Sequence, residues 1–374
     1  MALKGVGLLP ANVSVEQALK IYEKLSRVAY KVGVFKSALE HTVLDQSILG
    51  IFSLRESVQS TRIEGTQVTF HEIMESMTQN KKSWEQQEVL NYNKALEYGI
   101  NKIKSGMPIS TSLIKELHKI LMDNARGTVS GSGEFRKIQN FIGPDKHIEN
   151  AKYIPIPANE IGAYMSNLEY YINGMDHYSF QEADEQASTV IGYNANALLR
   201  IAVAHAQFES IHPFLDGNGR LGRILVALMA VQEKIVSYPL FFVSEELEKE
   251  RVRYYNALNA TRLEEPDWFT WIMFFLEATE RMVEKTVEKL VNVENIALEG
   301  LKICENDTQK KIWFLTFQRP ITTVKQLSEI GKYQSSTIRN TLNRLVAFQL
   351  IDRDDTVKRN KKYYNYDVLR ELQS

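Results

Sequence analysis

The chain has 374 residues, of which 44% are hydrophobic and 24% charged, and this composition excludes a largely disordered protein. Its 45 basic and 46 acidic residues leave a net charge of −1, which gives no general attraction to nucleic acid or to anionic membranes. The single cysteine, Cys304, excludes intrachain disulfides and cysteine-based zinc sites.

The first 105 residues are predicted to form a helical region. Apolar residues recur at helical spacing over 18–28, and a second helix is predicted over 44–63. A capping box formed by Thr69 and Glu72 predicts that the next helix begins there.

The segment Ser60–Gly65, with the sequence STRIEG, stands out at the end of the second helix. Gly65 is well placed to end that helix, as glycine commonly does. Ser60 and Glu64 lie one turn apart on the same face, so the hydroxyl can steer the carboxylate. The alternative is an ordinary surface glutamate, although the helix dipole disfavours an anion at a helix C-terminus.

Residues 106–265 are predicted to contain helices over 113–122 and 197–210, with one clear interruption. The interruption is the stretch 139–157, in which glycine and proline prevent a helix. A short hairpin is the structure expected there.

The most informative segment is 211–226, IHPFLDGNGRLGRILV. Proline at 213 ends the preceding helix, because the residue before proline avoids the α-helical region. The turn Asp216–Gly219 then leads into a second helix that begins near Gly219 or Arg220. The N–H groups at a helix start form an anion site, and Arg220 and Arg223 add positive charge in its first turn. The pattern indicates a bound polyphosphate.

Two kinds of chemistry could use this turn. His212 is a candidate base, and Asp216 is an oxygen ligand suited to Mg²⁺. His205, Glu209, His212 and Asp216 also recur at spacings that resemble a metal-binding helix face. Pro213 and Gly217 break the helix before Asp216, which argues against a catalytic transition metal. His205 is therefore expected to be an ordinary helix histidine.

The chain is predicted to continue with connecting helices over 266–300 and a separate unit over 301–374. From Leu301 onward there are 14 basic and 8 acidic residues, so this unit is positive although the whole chain is not. Helices over 310–317 and 336–348, followed by two short β-like runs, give the element order of a winged helix. Its second helix would present a polar face that includes Thr337, Arg339, Asn340, Asn343 and Arg344. Such units bind either DNA or protein.

The segment HPFLDGNGRLGR resembles the signature of the Fic family, His-x-Phe-x-(Asp/Glu)-Gly-Asn-(Gly/Lys)-Arg-x-x-Arg, with every specified position filled. The flanking segments HAQFESIHPF and GEFRKIQNFIG are also similar to the family. The resemblance spans roughly residues 15–278, and a winged-helix-like tail is common in bacterial members. It implies a mainly α fold: a Fic-type helical bundle with a short β-hairpin flap, plus the C-terminal winged-helix domain of α+β type.

The resemblance implies transfer of AMP from ATP to a protein Tyr, Thr or Ser hydroxyl, with His212 as the catalytic base. Asp216 would hold Mg²⁺ on the phosphates. The target protein would lie against the flap at 139–157 as an added strand. The adenine pocket is expected within Lys249–Tyr255, with Lys249 as the candidate residue. The residues expected to bind ATP in the turn are Gly217, Asn218, Gly219, Arg220, Leu221, Gly222 and Arg223, and Gly219 argues against the branch of the family that phosphorylates its targets.

STRIEG resembles the family's inhibitory motif, (Ser/Thr)-x-x-x-Glu-(Gly/Asn), in the class with an N-terminal inhibitory helix. The resemblance implies that Ser60, Glu64 and Gly65 form a brake, with Glu64 paired to Arg223 where the γ-phosphate would bind. Glu64 could also orient a water molecule and reverse the reaction. A brake of this class is often tuned by a dimer interface, which makes a homodimer one expectation.

The function expected is thus an autoinhibited protein adenylyltransferase, also able to modify itself. Two alternatives stay open: the same fold with UTP, GTP or a phosphocholine donor, and a nucleotide-sensing regulator that binds DNA through 301–374. The most apolar stretches are too short to span a bilayer, and no signal-peptide core is present at the start. A cytoplasmic protein without membrane contact is expected.

Overall fold

The structure, a computed structural model, describes residues 2–78, 82–123, 131–145, 147–175 and 188–373. As the sequence predicts, it is mainly α-helical. The helices up to residue 260 are α1 (Val15–His41), α2 (Gln46–Ile63), α3 (Phe70–Ser76), α4 (Trp84–Lys104), α5 (Thr111–Leu121), α6 (Ile161–Ile172), α7 (Ala197–Ile211), α8 (Asn218–Gln232), α9 (Ser244–Lys249) and α10 (Arg251–Ala260). The later helices are α11 (Trp268–Ile303), α12 (Asp307–Gln318), α13 (Val324–Gly331), α14 (Ser335–Ala347) and α15 (Tyr366–Gln373).

The centre of the bundle is formed by α7 and α8. Every residue of α7 from Leu198 to Ile211 is buried, and α8 is buried from Asn218 to Ala230 apart from Gly219. Helices that are apolar on all sides belong in the interior, and α4, α6 and α11 pack around this pair. The turn that joins α7 to α8 is therefore anchored at both ends in the core.

The ends of α2 and the start of α3 follow the local sequence signals. Asp45 caps α2 by accepting hydrogen bonds from two backbone N–H groups, so the helix begins two residues later than predicted. Gly65 follows the end of α2 with φ of +99°. The capping box is confirmed, because Thr69 Oγ1 accepts from the N–H of Glu72 at 3.2 Å while Glu72 Oε2 accepts from the N–H of Thr69 at 2.7 Å.

A single long helix, α11, occupies the region where connecting helices were predicted. It has 36 residues and runs past position 300, because its sequence contains no proline and no glycine before Gly300. It packs along α1, which also extends beyond its predicted end because Val32, Phe35 and Leu39 continue the buried face. Among the described residues, no helix is both long and apolar enough to cross a membrane.

The described strands are short and form three small sheets. They are β1 (Leu3–Lys4), β2 (Ala11–Ser14), β3 (Tyr153–Ile154), β4 (Ser188–Ile191), β5 (Ile321–Thr323), β6 (Asp352–Arg353) and β7 (Lys362–Tyr364). β1 pairs in parallel with β3, and β2 pairs antiparallel with β4. The third sheet has the order β5-β7-β6 and is antiparallel.

The flap (139–157) is narrower than the predicted hairpin. Its two arms are joined by one antiparallel bridge, in which the N–H of Ile142 donates to Tyr153 O at 2.8 Å and the N–H of Lys152 donates to Ile142 O at 2.8 Å. Two prolines in the second arm leave few N–H groups for a longer ladder. The outer edge of that arm is occupied by β1, through the pairing of Leu3 with Tyr153.

The C-terminal unit contains α12 to α15 and the sheet β5-β7-β6. Its elements follow the order predicted from the sequence, and its assignment as a winged helix stays a prediction. The unit packs α12 against α2. It also contacts the N-terminal region through Lys362 Nζ, which lies 3.0 Å from Glu75 Oε1, and through Arg55 Nε, which donates to Leu372 O at 2.6 Å.

Candidate active site

The turn between α7 and α8 is held by two left-handed residues and by hydrogen bonds of the Asn218 side chain. His212 ends α7 in the left-handed conformation (φ 49°, ψ 61°) before Pro213, and Gly217 is left-handed at the start of α8 (φ 76°). Asn218 Oδ1 accepts from the N–H of Phe214 at 2.9 Å, and Asn218 Nδ2 donates to Phe214 O at 2.8 Å. The amide therefore holds the turn, and its binding of phosphate stays a prediction.

The start of α8 presents backbone N–H groups to the turn. The N–H groups at 218–220 have no partner within the helix, as in the first turn of any helix. Leu221 differs from the prediction: its N–H donates to Gly217 O at 3.0 Å and its side chain is buried, so it has no group left for a phosphate. Gly222 faces Glu209, whose carboxylate a Cβ at this position would overlap. Gly222 is therefore needed for packing rather than for binding.

Arg223 is held by the end of α2. Its Nε donates to Ser60 Oγ at 2.8 Å, and its Nη2 donates to Ser60 O at 3.0 Å and to Glu64 Oε1 at 2.8 Å. The predicted pairing of Glu64 with Arg223 is thus present. The predicted role of Ser60 is corrected, because its hydroxyl binds Arg223 and does not steer the carboxylate. Ser60 and Glu64 therefore bind the same guanidinium group, that of Arg223.

The Glu64–Arg223 pair lies between the core and the surface of the site. The Arg223 side chain is 1% exposed and that of Glu64 is 39% exposed. Burial alone would raise the pKa of Glu64, but the charge and hydrogen bond of Arg223 hold that pKa below its usual value. The carboxylate rests against Gly219, where a Cβ would overlap Oε1. Gly219 is therefore required for Glu64 to reach this position.

Arg220 lies beneath the turn, facing two carboxylates. Its Nη1 is 3.5 Å from Glu88 Oε1, and its Nη2 is 3.5 Å from Asp216 Oδ1. The arginine is buried, whereas the Asp216 side chain is 55% exposed. A buried guanidinium close to the helix start adds positive charge to the anion site without being in solvent. The structure thus brings Arg220 and Arg223 to the same end of α8.

Asp216 is the only carboxylate that the sequence proposed as a magnesium ligand. Its Oδ1 also accepts from the N–H of Gly217 at 2.6 Å, so the side chain folds back on the turn with its other oxygen available. Among the described residues no cluster of three or more metal-ligating side chains occurs. Mg²⁺ commonly binds one or two carboxylates together with substrate phosphates, and one exposed aspartate fits that arrangement.

His212 is half-buried, and its Nδ1 is enclosed without a hydrogen-bond partner among the described residues. Burial lowers the pKa of the imidazole to about 4, and the nearby charge of Arg262 acts in the same direction. The carbonyl of Glu209 and the carboxylate of Glu64 oppose that shift. A lowered pKa keeps the ring neutral at physiological pH, as a general base must be.

The titration of His212 provides a direct test of this environment. Because its folded-state pKa is lowered to about 4, the ring should take up a proton only as the pH falls towards that value, not near about 6.5. Replacing Glu64 by glycine removes a negative charge that favours the protonated ring, so the midpoint should fall further. NMR titration of the His212 ring in both proteins measures these midpoints. A midpoint near the ordinary value would contradict the burial inferred here.

Arg136 joins the flap to the catalytic turn, a role that sequence reasoning missed. This buried residue donates from Nε to His212 O at 3.0 Å and from Nη1 to Ile138 O at 3.2 Å, while Nη2 contacts Ile156 O. Its own N–H donates to Pro213 O at 2.9 Å. The segment GEFRKIQNFIG, which contains Arg136, resembles the Fic family, but the sequence did not predict a contact between Arg136 and the turn.

His118 supports the turn from the other side and was also missed. Its ring stacks on Phe214 with centroids 3.8 Å apart. Its Nδ1 accepts from the N–H of Gly133 at 2.8 Å, which leaves the proton on Nε2 to donate to Asp216 O at 3.1 Å. Burial lowers the pKa of His118 to about 4, so this tautomer is neutral.

The adenine pocket expected within Lys249–Tyr255 stays a prediction. Lys249 is paired with Glu245 at 2.5 Å and with Glu246 at 3.7 Å, so its ammonium group is engaged by α9 itself. Tyr255 of the same segment is 40% exposed, and its pKa is raised by burial and by the charge of Glu64. Tyr255 is therefore the better candidate near the site. His205 is outside it, in contact with the Tyr254 hydroxyl at 3.0 Å.

Comparisons with known proteins agree with this geometry. A model of the Fic/DOC family matches residues 108–230, and a model of the Fic/DOC family N-terminal region matches residues 22–101. The protein adenylyltransferase Fic of Drosophila grimshawi is 25% identical over 200 residues, which are 54% of this chain and 35% of that protein. The Drosophila melanogaster protein of the same name is 26% identical, over 54% of this chain and 34% of its own length.

Solved structures show the same fold. A Fic family protein from Desulfovibrio desulfuricans G20 has a TM-score of 0.59 at 19% identity, with 95% of this chain and 97% of that chain covered. Fic-1 from C. elegans has a TM-score of 0.52 at 16% identity, with 73% and 74% covered. The chain spans about a third of the length of the curated relatives it matches. The two family models together cover more than half of the sequence, and the chain belongs to the Fic/DOC family.

Proposed function

We propose that this chain transfers AMP from ATP to a hydroxyl group of a protein. The observation that supports this most is that a neutral imidazole and a buried arginine lie on either side of the turn that begins a helix. His212 precedes the turn, and Arg223 lies in the helix that follows it. The named relatives are protein adenylyltransferases, which agrees with this chemistry.

The proposed reaction is an in-line attack of the hydroxyl on the α-phosphorus. The cup formed by the N–H groups at 218–220 and Arg223 would bind the phosphates. His212 takes the proton of the hydroxyl as the oxygen–phosphorus bond forms and the bond to pyrophosphate breaks. Asp216 would hold Mg²⁺, which supplies charge neutralisation on the phosphates. The residues contribute mainly position and electrostatic stabilisation, as expected for phosphoryl chemistry.

The end of α2 is proposed to restrain this reaction. Glu64 Oε1 contacts Arg223 at 2.8 Å, and Arg223 is the cation expected to receive the terminal phosphate. An anion already bound to this guanidinium competes with the phosphate for the same donors. ATP would then bind in a pose that does not place its α-phosphorus at His212. Ser60 contributes by fixing the guanidinium in the orientation that Glu64 requires.

The target is proposed to bind along the first arm of the flap. The outer edge of the second arm is occupied by β1, which leaves the arm at 139–142 for strand addition. This arm lies beside the catalytic turn, since Asn140 Nδ2 is 3.4 Å from Phe214 O. Main-chain pairing there would set the register of the target hydroxyl relative to His212.

The position of the radiolabel in the donor tests this function. The wild type and the Glu64→Gly variant are incubated with Mg²⁺, a cell lysate and ATP labelled on either the α- or the γ-phosphate. We expect protein-bound label from the α-labelled donor only, because AMP retains that phosphorus. Label from the γ-position above that of the lysate without this protein would indicate phosphorylation instead. Parallel reactions with GTP, UTP and a phosphocholine donor identify a different donor if ATP gives no label.

A further inference from the structure

The C-terminal unit contains a cationic groove, separate from the turn between α7 and α8. A groove of about 420 Å³ lies between α13, α14 and the loop that joins β6 to β7. None of its lining residues is acidic. Six of them are cations: Lys325, Arg339, Arg353, Lys358, Arg359 and Lys361. We refer to it as the basic groove.

Three of these cations are available for a ligand. Asp355, just outside the groove, pairs with Arg353 at 2.8 Å and also contacts Lys361. Lys325 lies 3.9 Å from Glu329, so three of the six charges are already compensated. Arg339, Lys358 and Arg359 are exposed, and none of them pairs with a carboxylate among the described residues. Like charges collected at one place repel each other, and a bound anion removes that cost.

Two residues on the exposed face of α14, Arg339 and Asn343, line one side of the groove. Arg339, Asn340 and Asn343 are exposed at helical spacing on this face, and Asn343 Oδ1 accepts from Arg353 at 3.0 Å. Arg344, which the sequence placed on the same polar face, instead pairs with Glu305 and lies outside the groove. The groove therefore includes only part of the polar face that the sequence predicted.

The groove opens away from the catalytic bundle. Side chains alternate along β7: Lys362 pairs with Glu75 of the N-terminal region, whereas Tyr363 lines the groove. A ligand in the groove would not have to displace the contact between the C-terminal unit and the rest of the chain. The site is thus accessible in the full-length structure.

We propose that the basic groove binds double-stranded DNA. An α-helix fits the major groove, arginine and asparagine are suited to base edges, and lysines on an adjacent loop are suited to phosphates. A protein partner would be expected to need aromatic or aliphatic anchors at the centre of the surface. Of the apolar residues that line the groove, Tyr363 is buried and Val324 is half-buried, and the exposed Val357 of the adjoining loop does not line it. Polar, cationic chemistry favours nucleic acid over an acidic protein.

The experiment measures the anisotropy of a fluorescent duplex of about two helical turns with the full-length protein. Three unpaired cations predict a log–log slope of about −3 for affinity against salt. Replacing Arg339, Lys358 and Arg359 together by alanine should weaken DNA binding at least tenfold. The matched control replaces Lys302, Lys310 and Lys311, which lie outside the groove, by alanine. This variant should keep most of the affinity for DNA.

Several outcomes would overturn the proposal. Equal affinity of the groove variant and the wild type would show that DNA does not bind there. Equal losses in both triple variants would show attraction to net charge only. Binding of a polyglutamate or single-stranded RNA probe, lost in the groove variant while duplex DNA does not bind, would assign the groove to that ligand. Thermal unfolding of both variants checks that they fold, and the proposal does not depend on AMP transfer.

Discussion

Glycine in place of Glu64 is expected to raise the rate of AMP transfer about 10-fold to 100-fold. The Glu64 carboxylate accepts a charge-assisted hydrogen bond from the buried Arg223 guanidinium, and such bonds contribute about 1.5–3 kcal/mol. Each 1.4 kcal/mol corresponds to about a tenfold change in the population that can bind ATP productively. The measurement is incorporation of α-labelled AMP into protein, at equal concentrations of wild type and Glu64→Gly.

Two further variants separate the loss of the contact from other effects of the substitution. Glu64→Gln keeps the shape and loses the charge, so its rate should lie between those of the wild type and Glu64→Gly. Glu40→Gly makes the same change at the exposed end of α1 and should leave the rate unchanged. If Glu64→Gly and the wild type incorporate label equally, the brake does not exist.

Gly219→Ala is expected to disrupt the same Glu64–Arg223 contact without changing either of its residues. A methyl group at 219 would overlap Glu64 Oε1, so the carboxylate must move, while the N–H of residue 219 is retained. We expect a smaller increase than in Glu64→Gly and no further increase in the double variant, because both changes remove one contact. An additive increase in the double variant would show that Gly219 acts independently of Glu64.

Local signals in the sequence were sufficient for the framework of the site. The end of α7 at His212, the tight turn at Gly217 and the start of α8 follow from proline, glycine and apolar periodicity. The capping box at Thr69 and Glu72 was found in the same way. Each of these features depends on residues no more than four positions apart. Sequence patterns are most informative over that range.

Local patterns do not give the distant partners of those residues, and the pairing of Glu64 with Arg223 was predicted only from the family resemblance. Ser60 binds Arg223, which is 163 positions away, and not its neighbour Glu64. Arg136 reaches the turn from the flap, and its contact with His212 O spans 76 positions. No local pattern shows that one buried guanidinium will bind both Ser60 and Glu64. Charge and burial in the folded chain decide it.

The flap illustrates the same limit for backbone pairing. Proline and glycine correctly excluded a helix from 139–157, but they do not reveal which strand will lie beside it. The pairing of β1 with β3 joins the two ends of a segment of about 150 residues, and it occupies the edge that a target could otherwise have used. The docking arm proposed above follows from this pairing and not from the sequence.

Alanine in place of His212 is expected to reduce AMP transfer about 10²-fold to 10⁴-fold, the usual contribution of a general base. The imidazole is neutral, stands at the end of α7 in a left-handed conformation, and is fixed through its backbone carbonyl by Arg136. A left-handed backbone is unfavourable for a non-glycine residue, and such conformations persist where the surroundings require them. The rate is best measured in the Glu64→Gly background, where the activity is higher.

The interpretation requires that the variant still binds ATP. Because the phosphate cup is formed by the N–H groups at 218–220 and Arg223, His212→Ala should keep the thermal stabilisation that Mg²⁺ and ATP give to the Glu64→Gly protein. His41→Ala, at the exposed end of α1, is the matched histidine control and should keep full activity. Undiminished incorporation in His212→Ala would assign the base to another group. A loss of both incorporation and ATP binding would show instead that His212 supports the turn, and the imidazole would then have no demonstrated part in the proton transfer.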